Sequence, residues 1–400
     1  MIILLNIILF LYQFEFIGYG GLSVYRCLIF PLLVYGILKY KIKLQLKDLK
    51  WVGIVGLFFF LELISSLYYG DYWSIIDITG QGIQFIFIYN FLKNYKFARS
   101  TLWVLAIWSF FHLVCFVTGT DMLVRSFMGK ETELGGRFCG FHWDPNYLCA
   151  YLIVAMWAKV YLLKIIEKLS QRILLITFII LDVFMTLATL SKGGFLSLFL
   201  TVLFYFVIYN KKIAIGVFAF LVLFVTYAGS VYTQLGTKET SFINRQIHRF
   251  VTESVERGDV TTNRSKYYQN YLDMMKFNEK GIIVGMPEDI FVHEYNGGGY
   301  PHSLILGLWL WYGFLFGSLF LLFLLYLVIK ECLHSFIFKS IPFTLILSLT
   351  FFCIFFNLSI GGSKITWLFF GIFFALSSRE TFLRQLSDVK TINHYSRLQG

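Results

Sequence analysis

Long apolar runs follow one another along almost the whole chain, and most are separated only by short polar stretches. A helix needs roughly 20 residues to cross a bilayer, and these runs approach that length. Hydrophobic residues fill 58% of the 400 positions and charged residues only 14%, so a water-soluble fold would expose large apolar patches. The sequence therefore predicts an all-α, polytopic membrane protein of about twelve transmembrane helices in one transmembrane domain, residues 1–400. The predicted spans are 2–19, 22–38, 51–69, 75–92, 100–119, 146–163, 173–190, 194–209, 213–232, 303–329, 341–358 and 365–378.

Lysine and arginine are concentrated in every second connection between these spans. The connection 39–50 is rich in lysine, and the tail after residue 378 is also basic. Positively charged connections tend to stay in the cytoplasm, so both chain termini are predicted to be cytoplasmic. This asymmetry also accounts for the net charge of +11, which is therefore not assigned to nucleic-acid binding.

Two segments on the opposite, outer side are too long to be simple turns. The first is 120–145, and the second is a large extracytoplasmic loop, 233–302. Long connections in compact proteins often carry function. Helical spacing of apolar residues predicts surface helices near 243–257 and 262–277, with Asn263 capping the second.

The outer side also collects cations that the charge asymmetry does not explain. Arg137 precedes a membrane helix, Lys192 lies in a tight hairpin at the membrane edge, and Arg264 opens a surface helix. An ionisable group at membrane depth is a candidate functional residue, and Lys192 meets this condition, although it could equally reach toward the outer headgroups. For Arg264, a surface charge on an amphipathic helix is the favoured interpretation from the residues alone. The other outer cations are expected to be solvated or paired, and they include Arg245, Arg249, Arg257 and Lys266.

His302 lies where the large loop returns to the membrane, within YPHSLI. A histidine near an interface often has a structural role, but a neutral imidazole can act as a general base near neutral pH. Surrounding cations would disfavour its charged form. His142, His248 and His293 are rival candidates on the same side.

Cations together with one base suit a specific chemistry. Guanidinium groups bind phosphate oxygens, and a pyrophosphate leaving group needs its developing charge neutralised. A sugar hydroxyl that attacks an anomeric carbon must lose its proton. The sequence therefore favours glycosyl transfer from a lipid pyrophosphate at the outer membrane edge. No pair of acidic residues in an outer segment indicates a bound metal, and Asp144-Pro145-Asn146 indicates a helix start.

Three stretches resemble the O-antigen ligase and polymerase superfamily, which includes Wzy-type polysaccharide polymerases. GGRFCGFHWDPNYLCAYL at 135–152 resembles an Arg, Gly and Pro-Asn block that leads into a helix. TLSKGGFLSLFL at 189–200 resembles a tight Ser-Arg-Gly hairpin. NRSKYYQNYLDMM followed by GYPHSLILGLWLWYG resembles an arginine-bearing loop followed by a His-Asn-x-x-Leu segment that returns to the membrane. The resemblance covers about residues 130–315.

The resemblance implies a C-type membrane glycosyltransferase fold in the bacterial cytoplasmic (inner) membrane, with the active site facing outward. It implies a donor oligosaccharide on undecaprenyl pyrophosphate, contact with membrane lipid, and neither metal nor cofactor. A chain-length regulator and a flippase are the candidate protein partners. Arg137 and Arg264 would hold the pyrophosphate and His302 would be the base, while Lys192, Arg245, Arg249 and Lys266 would bind substrate. Lys192 stands where arginine is common in the family, and Ser303 replaces an asparagine.

A polysaccharide polymerase is the favoured interpretation, and two alternatives stay open. A ligase would use the same site to move a finished glycan to a different acceptor. A flippase or exporter of lipid-linked sugar would not be an enzyme, and it would be expected to carry charges at the bilayer midplane. Glu62 and Asp182 are the clearest acids within predicted spans.

Overall fold

The computed structural model describes the chain in segments that contain most of the predicted membrane helices. These segments are 2–15, 17–19, 22–40, 42, 48–94, 99–120, 137–142, 144–219, 223, 264–277, 283–295, 303–355 and 364–377. Helices dominate them, and the strands seen there are the two-residue pair Gly18–Tyr19 and Leu22–Ser23. The helices are α1 (Ile2–Tyr12), α2 (Phe30–Lys39), α3 (Leu49–Tyr68), α4 (Tyr72–Asn94), α5 (Arg99–Thr118), α6 (Pro145–Ile165), α7 (Leu169–Ala188), α8 (Lys192–Tyr209), α9 (211–219), α10 (Arg264–Phe277), α11 (Glu288–Glu294), α12 (Leu304–Phe338), α13 (Phe343–Phe355) and α14 (Lys364–Ser377).

Within the described segments, seven helices are long and apolar enough to cross a membrane. They are α3 to α8 and α12. Three shorter apolar helices, Ile2–Tyr12, Phe343–Ile354 and Thr366–Ser377, match other predicted spans. The chain is thus a helical, multi-pass membrane protein, and its predicted spans from 51–69 to 194–209 coincide with α3 to α8.

Several predicted spans differ from the structure, and others fall partly outside it. The span predicted at 22–38 begins with the strand Leu22–Ser23 and the π-helix Tyr25–Ile29, and its α-helix starts at Phe30. The first span was predicted to reach residue 19, but α1 ends at Tyr12. A turn at residues 13–15 follows the helix, and it contains the buried polar side chains of Gln13 and Glu15. Glu15 accepts a hydrogen bond from the Tyr151 hydroxyl at 2.9 Å. Of the span predicted at 213–232, the described residues are 213–219 and 223, and the surface helix predicted at 243–257 lies wholly outside them.

A further difference lies in α12, which was predicted as one continuous span, 303–329. The helix extends to Phe338 and has a sharp break. Gly313 has φ 74° and ψ 163°, a conformation that is not helical and that glycine adopts most readily. Contacts across the break show that the chain turns sharply there. The Trp309 indole N–H donates to Ser318 Oγ at 3.0 Å. A Cβ on Gly317 would lie 2.4 Å from the Leu308 carbonyl oxygen. We call residues 304–312 the half-helix.

Short connections join α3 to α4, α6 to α7 and α7 to α8, and successive connections between membrane-crossing helices lie at alternate ends of a bundle. We call the end that carries residues 69–71, 137–144 and 189–191 the upper end. α6 is the most buried of the seven long helices, and it packs against α5, α7, α8 and α13. α4 packs against α3 and α14, and α12 packs against α3 and α13. The upper end of the α5–α8 group positions the first part of the candidate site.

Candidate functional site

Arg137 lies at the upper end of the bundle, across the end of α7. Its side chain is 8% exposed, and Nε donates to the carbonyl oxygen of Thr189 at 2.9 Å. The next residue, Phe138, donates its backbone N–H to the Ala188 carbonyl at 3.1 Å. These two contacts fix the position of the guanidinium group against the turn between α7 and α8.

That turn, residues 189–191, is tight, as the hairpin prediction required. Leu190 has φ 53°, which is unusual for a residue with a side chain. Ser191 then caps α8 by accepting a hydrogen bond from the Gly194 N–H at 2.9 Å. Its hydroxyl also donates a hydrogen bond to Oδ1 of Asn146. Asp144 caps α6 by accepting from the Asn146 N–H at 2.7 Å, so the predicted helix start at Asp144 is confirmed.

The close approach of α6 and α8 depends on a glycine. A Cβ on Gly194 would lie 2.2 Å from Cys149 Sγ, so a side chain there would push the helices apart. Cys149 also forms a hydrogen bond with Thr189, in which Sγ and Oγ1 are 2.9 Å apart. The Arg137 guanidinium thereby lies beside the starts of α6 and α8, in one corner of the upper end of the bundle. Helix N-termini carry partial positive charge. The Asp144 carboxylate already caps the start of α6, so the start of α8 and the Arg137 guanidinium are the groups here that favour an anion such as phosphate.

Lys192 is the first residue of α8 and is partly exposed at the same corner. The structure thus brings two predicted cations, Arg137 and Lys192, to the two sides of one turn. We call this set the Arg137 corner; its members are Arg137, Asn146, Thr189, Ser191 and Lys192.

Two histidines lie beneath this corner, inside the bundle. His142 is fully buried, and its ring stacks on that of Tyr151 with 4.5 Å between centroids. The ring of His112 is 5.1 Å away, and its Nδ1 accepts from the Phe141 N–H at 3.4 Å. Burial lowers the pKa of His142 well below its usual value, and the neighbouring His112 lowers it further. His142, a rival candidate base, is therefore held as a neutral ring in the interior.

A second polar contact at the upper end involves the start of α10 and the start of α12. Tyr268 Oη and Ser303 Oγ lie 2.8 Å apart. Arg264 is the first residue of α10, one turn before Tyr268, and His302 immediately precedes Ser303. This contact joins the first turns of α10 to the residue that caps α12. His302 itself lies outside the described residues.

The other predicted substrate-binding residues and rival bases are either exposed or outside the described residues. Lys266 is exposed on α10, and the rival base His293 is exposed on α11. Arg245, Arg249 and His248 lie outside the described residues. Tyr69, in the turn between α3 and α4, packs against the α10–α12 group, which places that group at the upper end too.

Sequence reasoning missed several residues that organise the site. Thr189, Ser191 and Asn146 stand inside the stretches that were singled out, but their mutual bonds depend on the crossing of α6 and α8. Lys159 was missed because it lies in an apolar run. It donates to Asp182 Oδ2 at 2.5 Å and to Ser109 Oγ at 2.6 Å, all within the bundle. The sequence indicated Asp182 as an acid within a span, but only the structure shows that Lys159 is its partner.

No family model, curated protein or solved structure matches this chain. Among the residues that the structure describes, no group of three His, Cys, Asp or Glu side chains is placed to hold a metal ion. The cations and the helix start of the Arg137 corner are the chemical feature from which a function is argued.

Proposed function

We propose that this protein is a polysaccharide polymerase of the bacterial cytoplasmic membrane. It would transfer a glycan from undecaprenyl pyrophosphate to a hydroxyl group of an acceptor repeat unit that is also lipid-linked. The observation that carries the proposal is the Arg137 corner: a buried arginine, a lysine and the start of α8 meet at one end of a membrane bundle.

The corner suits the leaving group of this reaction. As the glycosidic bond to the donor breaks, negative charge develops on the pyrophosphate. The guanidinium of Arg137 is already held by the Thr189 carbonyl, so little ordering is needed when the anion binds. Lys192 and the start of α8 add positive charge beside it. Arg264, Arg245, Arg249 and Lys266 are proposed to complete the donor site from the large loop.

The acceptor hydroxyl needs a base, and His302 is the proposed one. Ser303 caps the half-helix, and its hydroxyl contacts Tyr268 of α10. This contact joins the two segments of the chain that carry His302 and Arg264, and it supports a site shared by them. A neutral imidazole there would take the proton as the new bond forms.

The test compares two histidine variants of the purified protein with lipid-linked repeat units. His302→Gln keeps a polar side chain but cannot take up the proton. We expect a loss of about 10²- to 10⁴-fold in polymer formation, the usual contribution of general-base catalysis, with donor binding retained. His293→Gln, on exposed α11, is the control and should be nearly as active as the wild type. A His302→Gln rate within about threefold of the wild type would remove the base from the proposal.

Transport of a lipid-linked sugar is a second candidate function, and one observation favours it. Lys159, Asp182 and Ser109 form a buried charged cluster within α5, α6 and α7. Charged groups inside a membrane often mark transport or proton pathways. The two functions separate in an assay without any gradient, because a polymerase lengthens lipid-linked repeats there and a transporter does not.

A ligase would use the same donor site with a different acceptor. Supplying purified protein with the donor and either a lipid-linked repeat or a lipid or protein acceptor tests this directly. Extension of the lipid-linked repeat supports the polymerase, whereas transfer only to the other acceptor supports the ligase.

A further inference from the structure

The break in α12 leaves carbonyl groups that a continuous helix would satisfy. The half-helix ends at Gly313, so its last carbonyls have no partner in the next turn. Unpaired carbonyls are costly inside a membrane protein. Two donors from outside the helix supply the missing bonds: Tyr271 Oη donates to the Trp309 carbonyl at 3.2 Å, and the Met286 backbone N–H donates to the Leu310 carbonyl.

Both donors come from the part of the large loop that precedes α12. Tyr271 is fully buried, and its ring stacks on that of Trp309 with 5.7 Å between centroids. Gly285, beside Met286, has φ 47°, and a Cβ there would lie 2.4 Å from the Leu310 carbonyl oxygen. Only a glycine allows the backbone to come this close. The loop therefore docks on the end of the half-helix through specific contacts.

The same helix, α10, also contacts the beginning of the half-helix. Tyr268 and Tyr271 are three residues apart, which places them on one face of α10. Tyr268 reaches Ser303 at the start of the half-helix, and Tyr271 reaches Trp309 near its end. Met274, on the same face, packs in a cluster with Leu306 and Leu310. Side chains on one face of α10 thus contact both the start and the end of the half-helix.

We infer that Tyr271 is a positioning residue for the outer-face site. Its hydroxyl stabilises the broken end of the half-helix, and the half-helix begins after Ser303, whose hydroxyl contacts Tyr268 of α10. The catalytic part of this inference rests on the proposed polymerase function, whereas the structural part does not. Burial raises the pKa of Tyr271, which keeps its phenol a neutral donor throughout the physiological range.

The chain offers a matched control on the same helix. Tyr271→Phe removes only the hydroxyl and keeps the stacked ring. Tyr267→Phe makes the same chemical change at a half-buried tyrosine that packs on the edge of the cluster. Replacing Tyr271 with 4-aminophenylalanine restores an N–H donor at the same point of the ring. It therefore separates loss of the hydrogen bond from loss of packing.

Two measurements on the full-length purified protein test the inference. In hydrogen–deuterium exchange, Tyr271→Phe should speed exchange in peptides covering 283–295 and 304–312, and Tyr267→Phe should not. In the polymerase assay, Tyr271→Phe should lower kcat by about tenfold or more with a smaller change in KM, because misplacing a reacting group by about 1 Å can cost 10²-fold. The 4-aminophenylalanine variant should recover both.

The outcomes separate failure of the inference from failure of the proposed function. Wild-type exchange and wild-type kcat in Tyr271→Phe would overturn the positioning role. Faster exchange without recovery by 4-aminophenylalanine would also overturn it, because the effect would then come from packing. If the wild-type protein makes no polymer at all, the proposed function fails, and the exchange data still decide whether Tyr271 holds the half-helix.

Discussion

Tyr268 Oη and Ser303 Oγ, 35 positions apart in the chain, lie 2.8 Å from one another at the upper end of the bundle. Ser303 also caps the half-helix by accepting from the Leu306 N–H at 3.4 Å. One hydroxyl therefore both starts a helix and joins it to α10.

Replacing Ser303 should affect both roles. We expect Ser303→Ala to lower the free energy of unfolding by about 0.5–2 kcal/mol, the usual cost of losing a helix cap. Polymer formation should fall by more than this loss of folded protein explains. Ser303→Thr keeps the hydroxyl and should remain close to the wild type. Thermal unfolding and polymer assays of the two variants check this, and an active Ser303→Ala protein would argue against the link.

The sequence predicted much of this framework from local signals. The cap at Asp144 and the tight turn before Lys192 were both readable from short-range residue preferences. The break at Gly313 was not, because a glycine within an apolar run is compatible with a continuous helix. The bonds that join Tyr268 to Ser303 depend on how distant segments pack, which no local pattern records.

Arg137 provides a test of the donor site. Arg137→Ala should lower polymer formation by about a hundredfold or more, the typical cost of removing a group that stabilises developing charge. Arg137→Lys should recover little, because an ammonium cannot reproduce the planar, bidentate contact. The measurement is the polymerase rate at matched protein level.

Arg172 is the matched control for Arg137. It also donates to backbone carbonyls, those of Leu163 and Ile166 at 3.0 Å each, but at the opposite end of the bundle. Arg172→Ala should leave the rate per folded molecule unchanged. Equal losses in the two alanine variants would mean that Arg137 only stabilises the fold.

The orientation of the chain can be tested with reporters fused at two positions. The distribution of lysine and arginine predicts a cytoplasmic reporter at Gly400 and an external one at Thr237. Both positions lie outside the described residues, so this prediction comes from the sequence alone. An external reporter at Gly400 would place the Arg137 corner on the cytoplasmic side, and the proposed site would then face the wrong compartment.

The Lys159–Asp182 pair distinguishes a structural role from a transport role. The two side chains are 4% and 0% exposed, so removing one partner leaves a buried charge. Lys159→Met or Asp182→Leu alone should destabilise the protein by about 3–5 kcal/mol, whereas the double variant should recover most of this. Thermal unfolding of the three variants gives the stabilities.

The activity of the double variant then decides between the functions. A polymerase whose site is at the upper end should keep most of its rate per folded molecule once the pair is replaced by apolar side chains. A stable double variant that has lost all activity would instead favour a charge-dependent step inside the membrane, as in a transporter.

His142 makes the stability depend on pH in a predictable direction. Its pKa in the folded protein is lowered by burial and by His112, whereas an exposed histidine in the unfolded chain has a pKa of about 6.5. Below that pH the unfolded state binds more protons, so the stability that His142 provides above it is lost as the pH falls toward the folded pKa. The loss is up to about 1.4 kcal/mol per pH unit for one histidine.

His142→Phe tests this prediction, because it keeps a ring to stack on Tyr151. The variant should show a smaller fall in unfolding temperature between about pH 7 and pH 5 than the wild type. The control, His293→Gln on exposed α11, should show the same fall as the wild type. An unchanged slope in His142→Phe would show that His142 is not the group whose protonation accompanies acid unfolding.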